Sequence, residues 1–339
     1  MILAIGTYTE MLSPNFGGHG EGILLYSFDP QQGSLKHIST TESRNPSYLA
    51  YNKNRRMLYS VEEVSAGSEG MLNAWRINHD HSLSLVGRQL ISGGLACHVA
   101  MIGDSFIGVA CYEDGVVLLY PIKEDGNLGM CVDMHKHRGS STNPERQEGP
   151  HAHQIYPVSE KHFYVCDLGI DKVMKYEINK SKMICEKGIP IPNGNGPRHL
   201  VKHPTEDLLF VMNELNVKVS MLFQDELYKD FPTLENSKSG SAIRIHPNGK
   251  YIYAGNRGSG LISLCRYEHK EKNLEVIEHF PCAGETPREF QLTPDGSWLL
   301  VAYQDSDQIE IFAIDPFTGR LSKHKIYKIK SPVCLQFLT

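Results

Sequence analysis

A segment beginning Pro-x₆-Pro returns along most of the chain, and no other feature limits the possible folds as much. Its clearest copies run Pro150 to Pro157, Pro197 to Pro204 and Pro287 to Pro294, while Gly240 to Pro247 keeps only the second proline. Weaker copies start at Pro46, at Cys97, where proline is lost, and at Pro332 in the C-terminal tail. The starts lie 51, 53, 47, 43, 47 and 45 residues apart. Seven units of such a period imply a radial or stacked repeat.

Each unit has one internal grammar. From Gly240 the chain reads Ser241-Ala242-Ile243-Arg244-Ile245, a His246-Pro247-Asn248-Gly249 turn, then Lys250-Tyr251-Ile252-Tyr253-Ala254-Gly255-Asn256. A third apolar run follows at Leu261-Ile262-Ser263-Leu264-Cys265. The unit from Pro287 repeats the scheme around Pro294-Asp295-Gly296. Short runs rich in β-branched and aromatic residues, joined by Pro-Asn-Gly or Pro-Asp-Gly, are strands linked by tight hairpins. No stretch of comparable length has helical apolar spacing. The chain is therefore expected to be all-β, a seven-bladed β-propeller of antiparallel meander blades. A linear β-solenoid is the alternative, although its repeats are usually far shorter.

The termini complement each other. Residues 1–45 hold strands such as Ile2-Leu3-Ala4-Ile5 but no repeat start, and the tail from Pro332 is a start with nothing after it. Joined, they make one more blade, the C-terminal strand pairing with the N-terminal strands and removing two open sheet edges. Residues 1–339 are accordingly read as one propeller domain.

The formal net charge of −5 and the absence of long Lys/Arg runs argue against a nucleic-acid footprint. No apolar stretch is long enough to span a bilayer, and the N-terminus lacks the basic flank of a signal peptide. Eight scattered cysteines without a Cys-x-x-Cys pair suit a reducing cytoplasm. Nothing in the sequence sets the oligomeric state.

In a meander, the start of strand one and the end of strand two lie at the same end of the blade. Seventeen places after each start stand Glu63, Asp114, Asp167, Glu214, Arg257 and Gln304, none of them apolar. The first positions after the starts are Ser47, His98, His151, Arg198, Ser241, Arg288 and Val333. Both sets are expected to ring the mouth of the central channel, where a rigid scaffold presents its loops. One column is broken: its members are Leu49, Ala100, His153, Leu200, Ile243, Phe290 and Leu335. Alternation places His153 on the same side as His151. Such a pair can act in acid–base chemistry, bind substrate, ligate a metal or hydrogen-bond in the core. No HExxH motif or Cys cluster supplies a third zinc ligand, although carboxylates such as Asp167 keep an oxygen-rich site open. No metal and no cofactor is assigned. His135 and His137, beside Lys136 and Arg138, are expected to be solvated.

Arg198, Arg257 and Arg288 should point at one opening, where they repel one another unless an anion sits between them. The alternative for each is a neighbouring acid: Glu214 for Arg198, Glu285 or Glu289 for Arg288. With Glu214 and the two histidines, the set suits a small oxygen-rich anion.

Several stretches carry a family resemblance over essentially the whole chain. Asn143-Pro144-Glu145-Arg146-Gln147-Glu148-Gly149-Pro150-His151-Ala152-His153 resembles the signature loop of the seven-bladed lactonase family. Similar matches are Asp167-Leu168-Gly169-Ile170-Asp171, Gly196-Pro197-Arg198-His199, Asn213-Glu214-Leu215, Tyr253-Ala254-Gly255-Asn256-Arg257-Gly258 and Pro287-Arg288-Glu289-Phe290. Ala96-Cys97-His98-Val99 departs from the pattern, which leaves His98 without an assigned role. The family's best-known activity is hydrolysis of 6-phosphoglucono-1,5-lactone in the pentose phosphate pathway, and a fungal branch lactonises carboxy-cis,cis-muconate. The resemblance implies a lactone hydrolase whose partner is a small anionic lactone. His151, His153 and Glu214 are the candidate bases, and Arg198 or Arg257 would stabilise the oxyanion. Arg288 would hold the phosphate, with Gln304, His199 and Asp167 as further substrate-binding candidates. No Ser-His-Asp order or Gly-x-Ser-x-Gly elbow is present, so water attacks directly. A propeller serving only as a binding platform is the alternative of a different class.

Overall fold

Hairpin turns every few residues keep each strand short, and strands such as Met57–Val61 and Leu208–Asn213 are buried at consecutive positions, so that both faces of the sheet are covered. The computed structural model describes all residues except Glu235, Asn236 and Lys238. Seven four-stranded antiparallel sheets stand as blades around an axis. The innermost strands are Leu49–Asn52, Ala96–Ile102, Ala152–Pro157, Pro197–Lys202, Gly240–Ile245, Pro287–Leu292 and Pro332–Phe337, and each touches the next until the last meets the first. We number the blades I to VII, blade I being the one built from both termini and the others following in chain order. A short extra hairpin, Met11–Ser13 with Phe16–Gly17, rises from blade I. Among the described residues no helix is long and apolar enough to cross a membrane.

Seven apolar clusters fill the seven seams between neighbouring blades. Closure follows the expected pattern: Pro332–Phe337 pairs antiparallel with Ile2–Thr7, which pairs in turn with Ile23–Asp29. Val333, Leu335 and Phe337 are buried by this join. Burial of such side chains contributes about 1.5–3 kcal/mol each, a sum comparable with the ~5–15 kcal/mol net stability of ordinary folds. Deleting residues 332–339 is therefore expected to abolish the cooperative thermal transition. A truncated chain that melts like the full one in circular dichroism would refute closure by this strand.

One local device sets the inner ends of the blades. Just before the inner strand, Asn45, Leu95, Gly196, Ser239, Thr286 and Ser331 have left-handed φ values of 38, 48, 69, 70, 54 and 44°. Their carbonyls accept the backbone N–H of Glu63, Tyr112, Glu214, Arg257, Gln304 and Tyr8. In blade IV His151 takes this place without a left-handed φ, its carbonyl accepting from Leu168. A bulge follows at the start of the inner strand in most blades, skipping one residue in the pairing.

The bulge corrects the sequence register. The skipped residues and their equivalents are Ser47, Cys97, His153, Arg198, Ser241, Arg288 and Val333. Six of these seven, all but Ser241, line one cavity of about 10 Å³ on the axis. His153 is thus not an exception in an apolar column but the blade IV counterpart of Arg198 and Arg288. The blade IV strand begins two residues later than Pro150 suggests, and the blade III strand one residue earlier than Cys97 suggests. In both blades the first hairpin is one residue shorter than in the others. Tyr112 and Leu168, rather than Asp114 and Asp167, therefore end the second strands in the equivalent position.

Candidate functional site

Two tiers of side chains surround the mouth of the channel. The skipped residues form the floor, and the residues that end the second strands form the wall: Tyr8, Glu63, Tyr112, Leu168, Glu214, Arg257 and Gln304. Bulges turn the floor residues out of the ladder and aim them at the axis, which is why a β-sheet protein can gather charges there.

Glu214 is the hub. Its side chain is 5 % exposed, with Arg146 Nη2 2.7 Å from Oε1 and Arg257 Nη2 and Arg198 Nε 2.8 and 3.1 Å from Oε2. Burial by itself raises a carboxyl, but Arg257, Arg146 and Arg198 together outweigh it and hold Glu214 well below the usual carboxylate range. Glu214 is consequently ionised at any working pH. The arginines are not all satisfied by it. Arg146 donates a directed hydrogen bond, whereas the Nε atoms of Arg198 and Arg257 are buried without a hydrogen-bond partner among the described residues. Burial and then the neighbouring Arg257 bring Arg198 down to about 10.

Arg288 stands apart. It donates to Tyr8 Oη at 2.8 Å and lies 5.2 Å over the Tyr8 ring and 5.4 Å over Phe16 of the extra hairpin. Tyr8 in turn donates to Glu63 at 2.9 Å. Among the described residues no carboxylate lies within ion-pair distance of Arg288. Glu289, one of the acids expected to pair with it, is bound instead to Arg244 at 2.7 Å.

The two histidines of blade IV have different fates. Both nitrogens of His151 are engaged, Nδ1 with the Tyr112 carbonyl at 2.8 Å and Nε2 with Glu148 at 3.1 Å. His153 is 6 % exposed, and its Nδ1 has no partner. Burial first, then Arg198, holds its pKa well below the ordinary histidine value, so it is neutral near neutral pH with a lone pair available.

His199 sits one layer below. A guanidinium only donates, so His199 Nε2 accepts from Arg198 Nη1 at 3.3 Å and the proton lies on Nδ1. That nitrogen is 3.9 Å from Glu289 Oε2. Tyr48 packs against His98 at a tilt of 32° with ring centres 3.9 Å apart, and His98 and His153 lie 5.9 and 5.2 Å from His199. The rings of Tyr48, His98 and His199 plug the channel beneath the floor. Gln304 is buried at the wall and donates to the Gly17 carbonyl at 3.3 Å.

Asp167 is also buried but does not face the opening. One oxygen accepts the backbone N–H of His151 at 2.8 Å and of Gly169 at 3.0 Å, and the other meets His137 Nδ1 at 2.6 Å. His137 is therefore not solvated as its polar neighbours suggested. It is buried between Asp167 and Tyr176 Oη, the latter 2.9 Å from Nε2. The side chain of His135 is 33 % exposed.

Three residues of the mouth escaped the repeat count. Tyr8 belongs to the blade divided between the termini, and only a count carried through the closure reaches it. Tyr112 was hidden by the shorter hairpin. Arg146 lies on the loop before blade IV, where no blade periodicity applies, although it falls inside the stretch that carries the family resemblance. Buried Gln147 locks this loop by donating to the Leu168 carbonyl at 2.8 Å and accepting from Asn143 N–H at 3.1 Å.

Fold and mouth together define a propeller with a buried, cationic, histidine-bearing axial site. The family model described as "Lactonase, 7-bladed beta-propeller" matches residues 2–337, and the chain belongs to that lactonase family. It is 31 % identical to the 6-phosphogluconolactonase of Bacillus subtilis, the match covering 98 % of this chain and 97 % of the relative. Identity to the 6-phosphogluconolactonase of Formosa agariphila is 30 %, over 90 % and 91 % of the two chains. Among solved structures, the periplasmic gluconolactonase of Pseudomonas aeruginosa superposes with a TM-score of 0.91 at 26 % identity, covering 100 % of this chain and 99 % of that one.

Proposed function

We propose that this protein hydrolyses 6-phosphoglucono-1,5-lactone to 6-phosphogluconate. The observation that carries the reading is the charge of the mouth: four guanidiniums, Arg146, Arg198, Arg257 and Arg288, face two carboxylates, Glu63 and Glu214. A phosphate monoester, with a charge of about −1.5 to −2 at neutral pH, offsets that excess, and a neutral lactone does not. The two relatives named 6-phosphogluconolactonase support the phosphorylated substrate, and the Pseudomonas aeruginosa neighbour, named a gluconolactonase, supports a lactone.

His153 takes a proton from water as the water oxygen bonds to the lactone carbonyl carbon. Arg198, whose Nε lies 3.1 Å from Glu214 Oε2 without making a directed hydrogen bond, gives a guanidinium N–H to the developing oxyanion, a contact worth roughly 2.7–4 kcal/mol for an oxyanion donor. Collapse breaks the bond from that carbon to the ring oxygen, which receives the proton back from His153. Arg257 and Arg288 bind the phosphate. Glu214, ionised and shared by three arginines, is a poor base and serves to align them, while His151, Asp167 and His199 position the loop and the floor. No serine or cysteine nucleophile enters the scheme: the Ser47 hydroxyl of the floor has no hydrogen-bonded base among the described residues, and the buried Cys97 has its thiol pushed far above its ordinary value, chiefly by burial. The eight free cysteines suit a cytoplasmic location.

Freshly generated 6-phosphogluconolactone and unphosphorylated gluconolactone, each with and without a chelator, test the reading. Fast turnover that prefers the phosphorylated lactone and ignores the chelator is expected. Rates at the spontaneous background on both would overturn it and favour a carboxylate ligand of the muconate type.

A further inference from the structure

We propose that Arg146 completes the phosphate site and is the residue by which the protein distinguishes a phosphorylated lactone from an unphosphorylated one. This rests on the lactonase reading and extends it to a side chain outside the blades. Arg146 is carried by the loop before blade IV, and it reaches Glu214 Oε1 at 2.7 Å and Tyr112 Oη at 2.9 Å through the same nitrogen, Nη2. Neither Nε nor Nη1 is used in these bonds, and the side chain is 41 % exposed, against 2 % for Arg198 and 15 % for Arg257. Arg146 thus stands at the rim and Arg198 on the floor.

The substrate has the same polarity. Its reacting carbonyl is C1, and its phosphate is carried by the exocyclic C6, which leaves the ring at C5, the other neighbour of the ring oxygen, and diverges from the carbonyl oxygen. A carbonyl seated on the Arg198 floor leaves that arm free to extend toward the rim. Arg257 lies within electrostatic reach of both Arg146 and Arg288. A phosphate over Arg257 is therefore flanked by Arg288 from blade VII and by the free edge of Arg146 from the loop, a geometry suited to a planar fork of donors. The loop is built to hold that position, since Gln147 and the Ser141–Asp171 hydrogen bond of 2.5 Å tie it to blade IV.

The test compares wild type, Arg146→Ala and Arg146→Lys. Removing a charge-assisted hydrogen bond should lower kcat/KM on 6-phosphogluconolactone by about 10- to 100-fold. The loss on gluconolactone should be at least tenfold smaller, and lysine should restore part of the preference. Calorimetric titration with 6-phosphogluconate and with gluconate repeats the comparison without catalysis. Wild type should bind the phosphorylated acid more tightly, and Arg146→Ala should lose most of that margin. Equal losses on both lactones would show that Arg146 acts only by aligning Glu214, and an unchanged preference would show that it does not meet the phosphate; either overturns the proposal. Tighter binding of 6-phosphogluconate that depends on Arg146, with no turnover of either lactone, would uphold this assignment and sink the hydrolase reading.

Discussion

Replacing His153 by alanine is expected to lower kcat by roughly 10²–10⁴-fold while the ring stays folded. The size follows from the loss of the general base, since the arginines that bind substrate and stabilise the oxyanion remain. The pH dependence adds a sharper signature. Burial and Arg198 depress the His153 pKa from the ordinary 6.5, so the neutral, active form of the free enzyme persists below that pH. The profile of kcat/KM should be flat from pH 8 to 6.5, with its acid limb lower. Once the phosphate dianion is bound it offsets Arg198, Arg257 and Arg288, and the imidazole becomes easier to protonate. The acid limb of kcat, which reports the complex, should therefore lie at higher pH than that of kcat/KM. Near-normal turnover by a folded His153→Ala protein, or an acid limb of kcat/KM at or above pH 6.5, would exclude His153 as the base.

The same burial makes a statement about stability. The pKa values of His98, His153 and His199 are all depressed in the fold, burial being the main cause in each. Below pH 6.5 the unfolded chain takes up protons that the folded chain refuses, so stability is fully present above that pH and declines as the pH falls beneath it.

Repetition made the architecture legible. Seven copies of one turn grammar specify blades, and a start without a body at Pro332 opposite a body without a start specifies closure. Chemistry was legible where the repeat kept its length, which is why Arg198, Glu214, Arg257, Arg288 and Gln304 fell into their positions. It failed where one residue was gained or lost. A bulge and a shortened hairpin are invisible to a fixed count, and they shifted the equivalence in blade IV so that His153 seemed an intruder and Asp167 a member of the wall. His137 departs from its local pattern for another reason. Its charged sequence neighbours project from an outer strand, while its own ring turns in to a carboxylate more than one strand away. Local polarity says nothing about such a partner.

Glu214→Ala should have the largest effect on the folded state. It removes the only carboxylate that lies within 3.1 Å of Arg146, Arg198 and Arg257 among the described residues. Breaking a buried ion pair by deleting one member costs about 3–5 kcal/mol, because the remaining charge is left in low dielectric, and here three guanidiniums are left facing one another. The variant should melt several degrees below wild type and lose most activity, since the arginines no longer hold their alignment. If the mouth is an anion site, inorganic phosphate can stand in for the lost carboxylate. Stabilisation by a bound ligand grows as RT ln(1 + [L]/Kd), so added phosphate should raise the melting temperature of Glu214→Ala considerably more than that of wild type. Chloride at equal ionic strength controls for screening. Glu214→Gln, which keeps the shape and removes the charge, should behave like the alanine variant. A charge-independent response, with glutamine as stable as glutamate and phosphate without effect on either variant, would mean that the three arginines do not share an anion.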